Sequence, residues 1–478
     1  MKSYGFYEWE KKHELLNKKS INGFQYWNYM RRDMVMSFKD ESSKVEPAFY
    51  RQMKDQSKEG LGSKIKTAMV FFSDLIPRKI PKSDVLFFCH SRRQEIDGRM
   101  VSIYTDYIAD RFPDSVTIQV TGLGKNKRDK LYTKNILFLD KISIKGYIYR
   151  YLKKYLCPAK YRQVYERIKR EMEIPFRDLI DNYDLHPDLD EFSKRATVLF
   201  FLYEYKRKKY EKILRKISPK VIVEVVGGGF DVQIFNETAK RLGVPTIELQ
   251  HGTISTRYPD NIRIRQHPDY FFSFGDFWSR RINLPVAEDH VLSMGFPYHD
   301  MMMEAYSPSE CRREENTVIF LSSRKYGKEF SELAVRISRL RPELKIIYKL
   351  HPREAVDYKE RYTELCNSDI EVIADNKTSL YDLFSKCSMQ VGVESTAVYE
   401  GMGFNLDTYI WDIPMAVSLM DIVEQGYAEI FKDEEEFIRL LDRRNNNTVK
   451  YDVSDFWKDD SMNSIVLGIR NIMSVSHN

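Results

Sequence analysis

Strand-length apolar runs that end in polar loops and lead into helix-period segments are the feature that most constrains this 478-residue chain. The first run is Asp84-Val85-Leu86-Phe87-Phe88-Cys89-His90. Others lie at 116–120, 136–139, 220–226 and 245–249, and a second series follows at 318–321, 345–350, 370–373, 389–393 and 406–410. Runs this short and this uniformly apolar fit strands buried on both faces, as a parallel sheet requires. Between them apolar residues return every three to four positions. Met100, Ile103, Tyr104, Tyr107 and Ile108 share such a face, so a helix is expected there. Long helices are expected over 147–182 and 190–217, and shorter ones over 231–242, 329–340, 358–366, 380–387 and from 397. Strands alternating with helices give parallel sheets with helices on both faces, and two such series give two domains. The boundary is expected within 270–305.

Length supports this division, because 478 residues exceed one ordinary core. With 42% hydrophobic and 31% charged residues, the composition is that of a folded chain rather than a disordered or fibrous one. Cys89, Cys157, Cys311, Cys366 and Cys387 lie far apart, with neither metal-ligand spacing nor a framework of bridges. Reduced thiols in a cytosol-like compartment are expected. The opening residues MKSYGFYEWEKKHELL lack the apolar core of a signal peptide. No stretch approaches the roughly 18 apolar residues of a membrane span. The expected location is therefore cytoplasmic, or peripheral at the inner face of the cell membrane.

The net charge of +6 is concentrated. Residues 147–170 hold eight Lys or Arg and one acid, Glu166; residues 206–216 hold seven and one, Glu211. Both stretches interleave charge with Tyr, Leu and Ile. A solvated helix face is one reading. Contact with an anionic membrane surface or a polyanionic acceptor is the other. No nucleic-acid-binding module accompanies the charge, so no nucleic-acid partner is expected. Residues 1 to about 80 mix aromatic and charged side chains, including Trp9, Trp27 and Tyr29, and read as helices with a polar connection over 41–63.

In open parallel sheets, ligands bind beyond the carboxyl ends of the strands. Five polar loops occupy such ends here. Gly227-Gly228-Gly229 follows Val226, Gln250-His251-Gly252 follows Leu249, and Ser322-Ser323-Arg324 follows Leu321. His351-Pro352-Arg353 follows Leu350, and Glu394-Ser395-Thr396 follows Val393. Their division between two halves predicts a cleft between domains. Gly227 and Gly228 would let the backbone approach a ligand, although a tight strand-to-helix turn accounts for them equally. Their spacing is not that of a dinucleotide site. His251 is the residue type to take a proton from an attacking hydroxyl, or else to bond a backbone carbonyl. Lys349, His351 and Arg353 place three cations within five residues, where a departing nucleotide phosphate needs neutralising. A charged loop with a proline helix start is the plainer alternative. Ser322, Ser323 and Arg324 fit phosphate contact or capping. Ser395 and Thr396 can cap a helix and bond a phosphate, with Glu394 beside them and Glu400 one turn on, placed to accept from ribose hydroxyls.

In this order the elements resemble bacterial transferases of the GT-B architecture that build capsules, lipopolysaccharide and teichoic acid, over roughly residues 84–415. Lys349-Leu350-His351-Pro352-Arg353 and Glu394-Ser395-Thr396 are similar to elements of bacterial sialyltransferases and Kdo transferases, which use CMP-sugars. Gln250-His251-Gly252 is similar to the element of CDP-glycerol and CDP-ribitol polymerases that supplies the catalytic base. The resemblance implies two facing Rossmann-like domains with a helical N-terminal extension. Residues 1–83 would be that extension, 84–285 the acceptor domain, 286–415 the donor domain, and 416–478 helices crossing back to the first domain. It implies an inverting glycosyltransferase in which His351, Ser395 and Thr396 hold the donor and His251 is the base, with Asp97 and then Asp231 as rivals. The implied partners are a nucleotide-sugar donor, CMP-sugar favoured, and an oligosaccharide or lipid-linked glycan acceptor. No cofactor or metal is implied. Ile96 precedes Asp97-Gly98, where a sialyltransferase base motif has a second acid, and Glu394 and Glu400 are six apart, not the spacing of retaining UDP or GDP enzymes. A CDP-polyol phosphotransferase, a UDP-sugar 2-epimerase of the same fold, and a non-catalytic glycan-binding scaffold are the other readings.

Overall fold

The computed structural model describes residues 3–16, 23–39, 80–90, 93–119, 130–183, 185–255, 268–281, 284, 286–306, 313–375, 377–444 and 451–475. The expected polar connection over 41–63, as well as Val120 and Cys311, lies outside them. Among the described residues there are fifteen strands in chain order. They are β1 Val85–Phe88, β2 Gln94–Ile96, β3 Arg99–Val101, β4 Val116–Gln119, β5 Ile136–Phe138, β6 Val221–Val225, β7 Thr246–Leu249 and β8 Tyr270–Ser273. After them come β9 Val291–Ser293, β10 Thr317–Leu321, β11 Lys345–Lys349, β12 Glu371–Ile373, β13 Met389–Gly392, β14 Asp407–Trp411 and β15 Glu429–Phe431.

Thirteen of these form two parallel sheets, ordered β5-β4-β1-β6-β7-β8-β9 and β12-β11-β10-β13-β14-β15. The central strands β1, β4, β6 and β7 are buried at every position, which is why they read as unbroken apolar runs. In each sheet the chain winds outward one way from β1 or β10, then the other way from β6 or β13. A switch point results between β1 and β6 and another between β10 and β13, where loops leave for opposite faces and open a crevice. The expected α/β class and the two Rossmann-like domains are present.

Several elements differ from expectation. Residues 100–108 do not form one helix. β2 and β3 pair as an antiparallel hairpin, and only Asp106–Ala109 is helical. The turn is Asp97-Gly98, with φ of 48° and 74°. Asp-Gly takes positive φ at both central positions at little cost, and it is the strongest short-range hairpin signal. The helix expected over 147–182 is two, Asp140–Leu156 and Pro158–Tyr183. Pro158 pushes Cys157 out of the helical region, to φ −133° and ψ 55°. The helical stretch at 358–366 is likewise divided, into Tyr358–Arg361 and Thr363–Cys366. β8, β9 and β15 were not anticipated, so the second sheet does not close at β14.

The N-terminal helices Ser3–Lys12 and Tyr26–Lys39 are part of the first domain's core. Trp9 and Trp27 are buried there against the helices Pro158–Tyr183 and Leu189–Ile217. The buried Glu10 carboxylate accepts from Arg31 Nε at 2.6 Å and from Trp27 Nε1 at 2.6 Å, so this desolvated charge is paired. On the opposite face the helix Ser461–Val475 sets Ile465, Ile469 and Ile472 against β1, β6 and β7. Their i, i+4, i+7 spacing puts all three on one side, each contributing about 1.5–3 kcal/mol by burial. Between the domains, Phe277, Trp278, Tyr399, Phe456 and Trp457 form an aromatic core. Trp278 Nε1 donates to the Phe456 carbonyl at 3.0 Å, and Trp457 Nε1 to that of Tyr399 at 3.0 Å. Gly275 is required here, since a Cβ would lie 2.5 Å from the Asp455 carbonyl oxygen. Among the described residues, no helix is long and apolar enough to cross a membrane.

Candidate active site

The crevice is lined by the loops after β1, β6 and β7 on one side and after β10, β11 and β13 on the other. In the second domain these loops are bonded to one another. Glu354, fully buried, accepts from the His351 amide at 2.8 Å, from Ser322 Oγ at 3.1 Å and from the Tyr362 hydroxyl. One carboxylate thus ties the loop after β10 to the loop after β11. Across the switch point, Ser323 Oγ donates to Glu394 Oε1 at 2.6 Å and ties β10 to β13. The Arg353 amide donates to His351 Nδ1 at 3.2 Å, so Nε2 carries the proton of the neutral ring. Ser395 caps the helix Thr396–Gly403, its Oγ accepting from the Ala397 amide at 3.1 Å. Arg324, Arg353 and Ser395 are exposed, and His351 and Ser322 are half-buried.

Lys349 is already engaged. Its Nζ donates to the Asp375 carbonyl at 2.6 Å, and burial pushes its pKa down despite the opposing Asp375 charge. Burial raises Glu394, with the Ser323 hydrogen bond and Lys325 opposing. Burial also pushes Glu400 up to about 7, against the lowering influence of the Tyr381 hydroxyl. Glu400 sits one turn after Thr396, and the neighbours that sense its charge are Tyr298 and Tyr381. It therefore belongs to a cluster with these two tyrosines.

The first domain is built differently. Its buried carboxylates hold the loops from below. Glu248 on β7 accepts the Gly227 amide at 3.0 Å, and Glu224 on β6 accepts Asn236 Nδ2 at 2.7 Å. The Gly227 amide is therefore turned inward to Glu248. The Gly228 carbonyl accepts from Gln233 Nε2 at 2.9 Å, so this turn is braced by its own helix. Gln250 pins the next loop, donating to the Gly252 carbonyl and accepting from the Phe274 amide, both at 2.9 Å. His251 is left half-buried at the strand end. Its ring lies 6.1 Å from that of His90 in a near-parallel arrangement, and the Tyr104 hydroxyl donates to its carbonyl at 2.8 Å.

The two sides also touch at the loop after β7. The Thr253 amide donates to Thr396 Oγ1 at 3.0 Å, with the two hydroxyls 3.3 Å apart. Ser255 Oγ reaches Asp421 Oδ2 at 3.3 Å nearby. His251 is thus two residues from a contact with the helix that Ser395 caps.

Both rivals to His251 have structural duties. Asp97 is exposed at the hairpin tip, where its positive φ makes the turn. Asp231 is paired, with Lys206 Nζ at 2.6 Å and the Tyr210 hydroxyl on the same oxygen. Lys206 is buried, so the stretch 206–216 is not one uniformly solvated face. His90, Tyr104, Glu354 and Thr253 were missed in the sequence. His90 ends a strand as His251 does. Glu354 follows His351 by three, the spacing at which a helix-start carboxylate reaches back to an amide. Among the described residues, no group of three or more His, Cys, Asp or Glu side chains has metal-binding geometry.

No family model matches the chain, and no curated protein matches it. Solved structures of similar shape exist. A structure from Listeria monocytogenes assigned as a UDP-N-acetylglucosamine 2-epimerase is 10% identical, with 82% of this chain and 97% of that one covered and a TM-score of 0.51. Acinetobacter baumannii MurG is 10% identical over 82% of this chain and 100% of its own, with a TM-score of 0.48. The wall teichoic acid polymerase TagF is 10% identical over 94% and 99%, with a TM-score of 0.42. At such identity the first of these supports the fold alone, the two-domain GT-B arrangement.

Proposed function

We propose that the protein is a glycosyltransferase that moves a sugar from a nucleotide donor held by the second domain to an acceptor hydroxyl activated by His251 of the first. The observation that carries this reading is the Thr253–Thr396 contact, which brings the loop of His251 against the helix that opens at Ser395. A nucleotide diphosphate or monophosphate seated on the second-domain loops would have the His351 Nε2–H, the exposed Arg353 and the Ser395 hydroxyl for its oxygens. His251 would approach the sugar from the opposing domain and take the acceptor proton as the donor bond breaks. That opposition is the geometry of inversion. His351 would neutralise charge building on the leaving phosphate, where a preorganised donor acts most strongly.

The His-Pro and Ser-Thr elements favour a CMP-sugar, and the acceptor class is a surface glycan or a lipid-linked glycan of polysaccharide synthesis. Neighbours in fold space include MurG and a teichoic acid polymerase, and also UDP-N-acetylglucosamine 2-epimerases. A screen of CMP, CDP, UDP and GDP by thermal shift identifies the base, and product analysis follows. Transfer, or slow donor hydrolysis in water, upholds the reading. Epimerisation of UDP-N-acetylglucosamine without acceptor replaces it with the epimerase, and no nucleotide binding at all replaces it with a scaffold.

A further inference from the structure

We infer that the corner joining the helices Asp140–Leu156 and Pro158–Tyr183 is a docking surface for an anionic lipid bilayer. Tyr151, Leu152, Tyr155 and Leu156 stand in the last two turns of the first helix at 57%, 42%, 59% and 73% exposure. Side chains of this kind in a solvated helix normally turn toward a core, and isolated exceptions need no explanation. Four within six residues make a patch.

Its chemistry is that of an interface. Tyr151 and Tyr155 pack with ring centroids 4.8 Å apart, and tyrosine suits the headgroup level because its body is apolar and its tip is wet. Lys154 lies over the Tyr155 ring at 5.8 Å, and Lys153 over Tyr149 at 5.4 Å. Exposed Arg162, Arg167 and Arg170 follow on the next helix. Basic residues around an exposed apolar knuckle complement a negative leaflet surface, which attracts each of them. The other basic stretch lacks this pairing. There Lys206 is buried, and the exposed Lys208, Lys212 and Arg215 have no exposed apolar residue beside them.

The patch also lies on a useful side. Lys206 bonds Asp231 in the first turn of the helix after β6, so at that residue the helix Leu189–Ile217 is level with the carboxyl ends of the strands. A Cβ on Gly146 would touch Leu202 and Tyr205 at 3.4 Å, and the Tyr149 hydroxyl donates to Glu204 at 3.0 Å. Past Gly146 the chain stays beside these turns, and Lys160 Nζ donates to Glu204 at 2.8 Å just after the corner, so the corner lies near the level of the strands' carboxyl ends. Docking there would hold the crevice mouth near the bilayer. That benefit rests on the proposed transfer to a lipid-linked acceptor, whereas docking itself does not.

The test is co-sedimentation of the full chain with phosphatidylglycerol and with phosphatidylcholine vesicles. The wild type should bind the anionic vesicles at 0.1 M salt, at least tenfold better than the zwitterionic ones, and lose that binding at 0.5 M. The combined variant Tyr151→Ser, Leu152→Ser, Tyr155→Ser, Leu156→Ser should lose at least tenfold while keeping the wild-type melting temperature and nucleotide thermal shift. Changing Lys208, Lys212 and Arg215 to Gln should cost less than threefold. Failure of the wild type to bind, retention of binding by the fourfold variant, or a wild-type dimer that the variant abolishes without any vesicle binding would each overturn the inference. Loss of transfer with docking intact would instead count against the transferase reading alone.

Discussion

The two domains share strand order but finish their crevice loops in opposite ways. In the second domain the loops are tied sideways to each other. Ser322, His351 and Tyr362 converge on Glu354, and Ser323 bridges to Glu394. In the first domain they are held from beneath, by Glu248 under Gly227 and by Gln250 under Gly252. A laterally braced set of amides, hydroxyls and basic side chains is suited to a fixed anion, because its dipoles need no reorganisation when the ligand arrives. Loops tethered from below leave rings such as His90, His251 and Tyr104 half-buried, which suits proton transfer and contact with a sugar. Under the proposed function, two sheets of one design divide into a cradle for the nucleotide and a working face.

The sharpest way to break this comparison is His251→Ala. Transfer should fall by roughly 10²–10⁴-fold, the range for a lost general base. A pH–rate profile that still declines through the histidine range in the variant would point to His90 instead. Glu354→Ala should cost about 2–4 kcal/mol in urea unfolding, because it leaves buried partners unsatisfied. It should also weaken nucleotide binding, whereas a stable variant with normal binding would dissolve the cradle.

Glu400→Gln tests the tyrosine cluster beside the cradle. The folded chain holds the Glu400 proton up to about 7, above the ordinary 4.5 of the unfolded chain. The folded state therefore binds more protons between those values, and stability should fall as pH rises through that window and stay low above it. The Gln variant should melt at the same temperature as wild type at pH 4.5 and a few degrees higher at pH 8. Equal melting at both would remove Glu400 from the buried set. Thr396→Val removes the cross-crevice bond and should cost about 1 kcal/mol, read as roughly a fivefold loss of nucleotide affinity or of interdomain stability. Asp97→Asn should leave turnover within about twofold, since Asn also tolerates the turn conformation.

Much of the framework was legible because its signals are local. The buried strands β1, β6, β7, β10, β11, β13 and β14 announce themselves as apolar runs. The polar loops follow directly. What escaped depended on partners far along the chain. β9 is three residues at the sheet edge, and Phe272 of β8 finds its apolar neighbours in the distant C-terminal helix. The role of Glu248 is invisible without knowing that β7 lies beside β6. Asp231 looks like a helix-start carboxylate until the buried Lys206 is found opposite it. The Asp97-Gly98 turn was the exception, a local signal overridden by the helical spacing of Met100, Ile103 and Tyr104, which instead lie in the hairpin and in the turn leading to Asp106–Ala109.

The division of labour itself is tested most directly by titrating the donor nucleotide against three proteins, the wild type, His251→Ala and His351→Ala. With the cradle in the second domain, His251→Ala should bind the nucleotide within about twofold of wild type, and His351→Ala should lose at least tenfold, about 1.4 kcal/mol. The opposite pattern, with affinity lost in His251→Ala and kept in His351→Ala, would contradict the account.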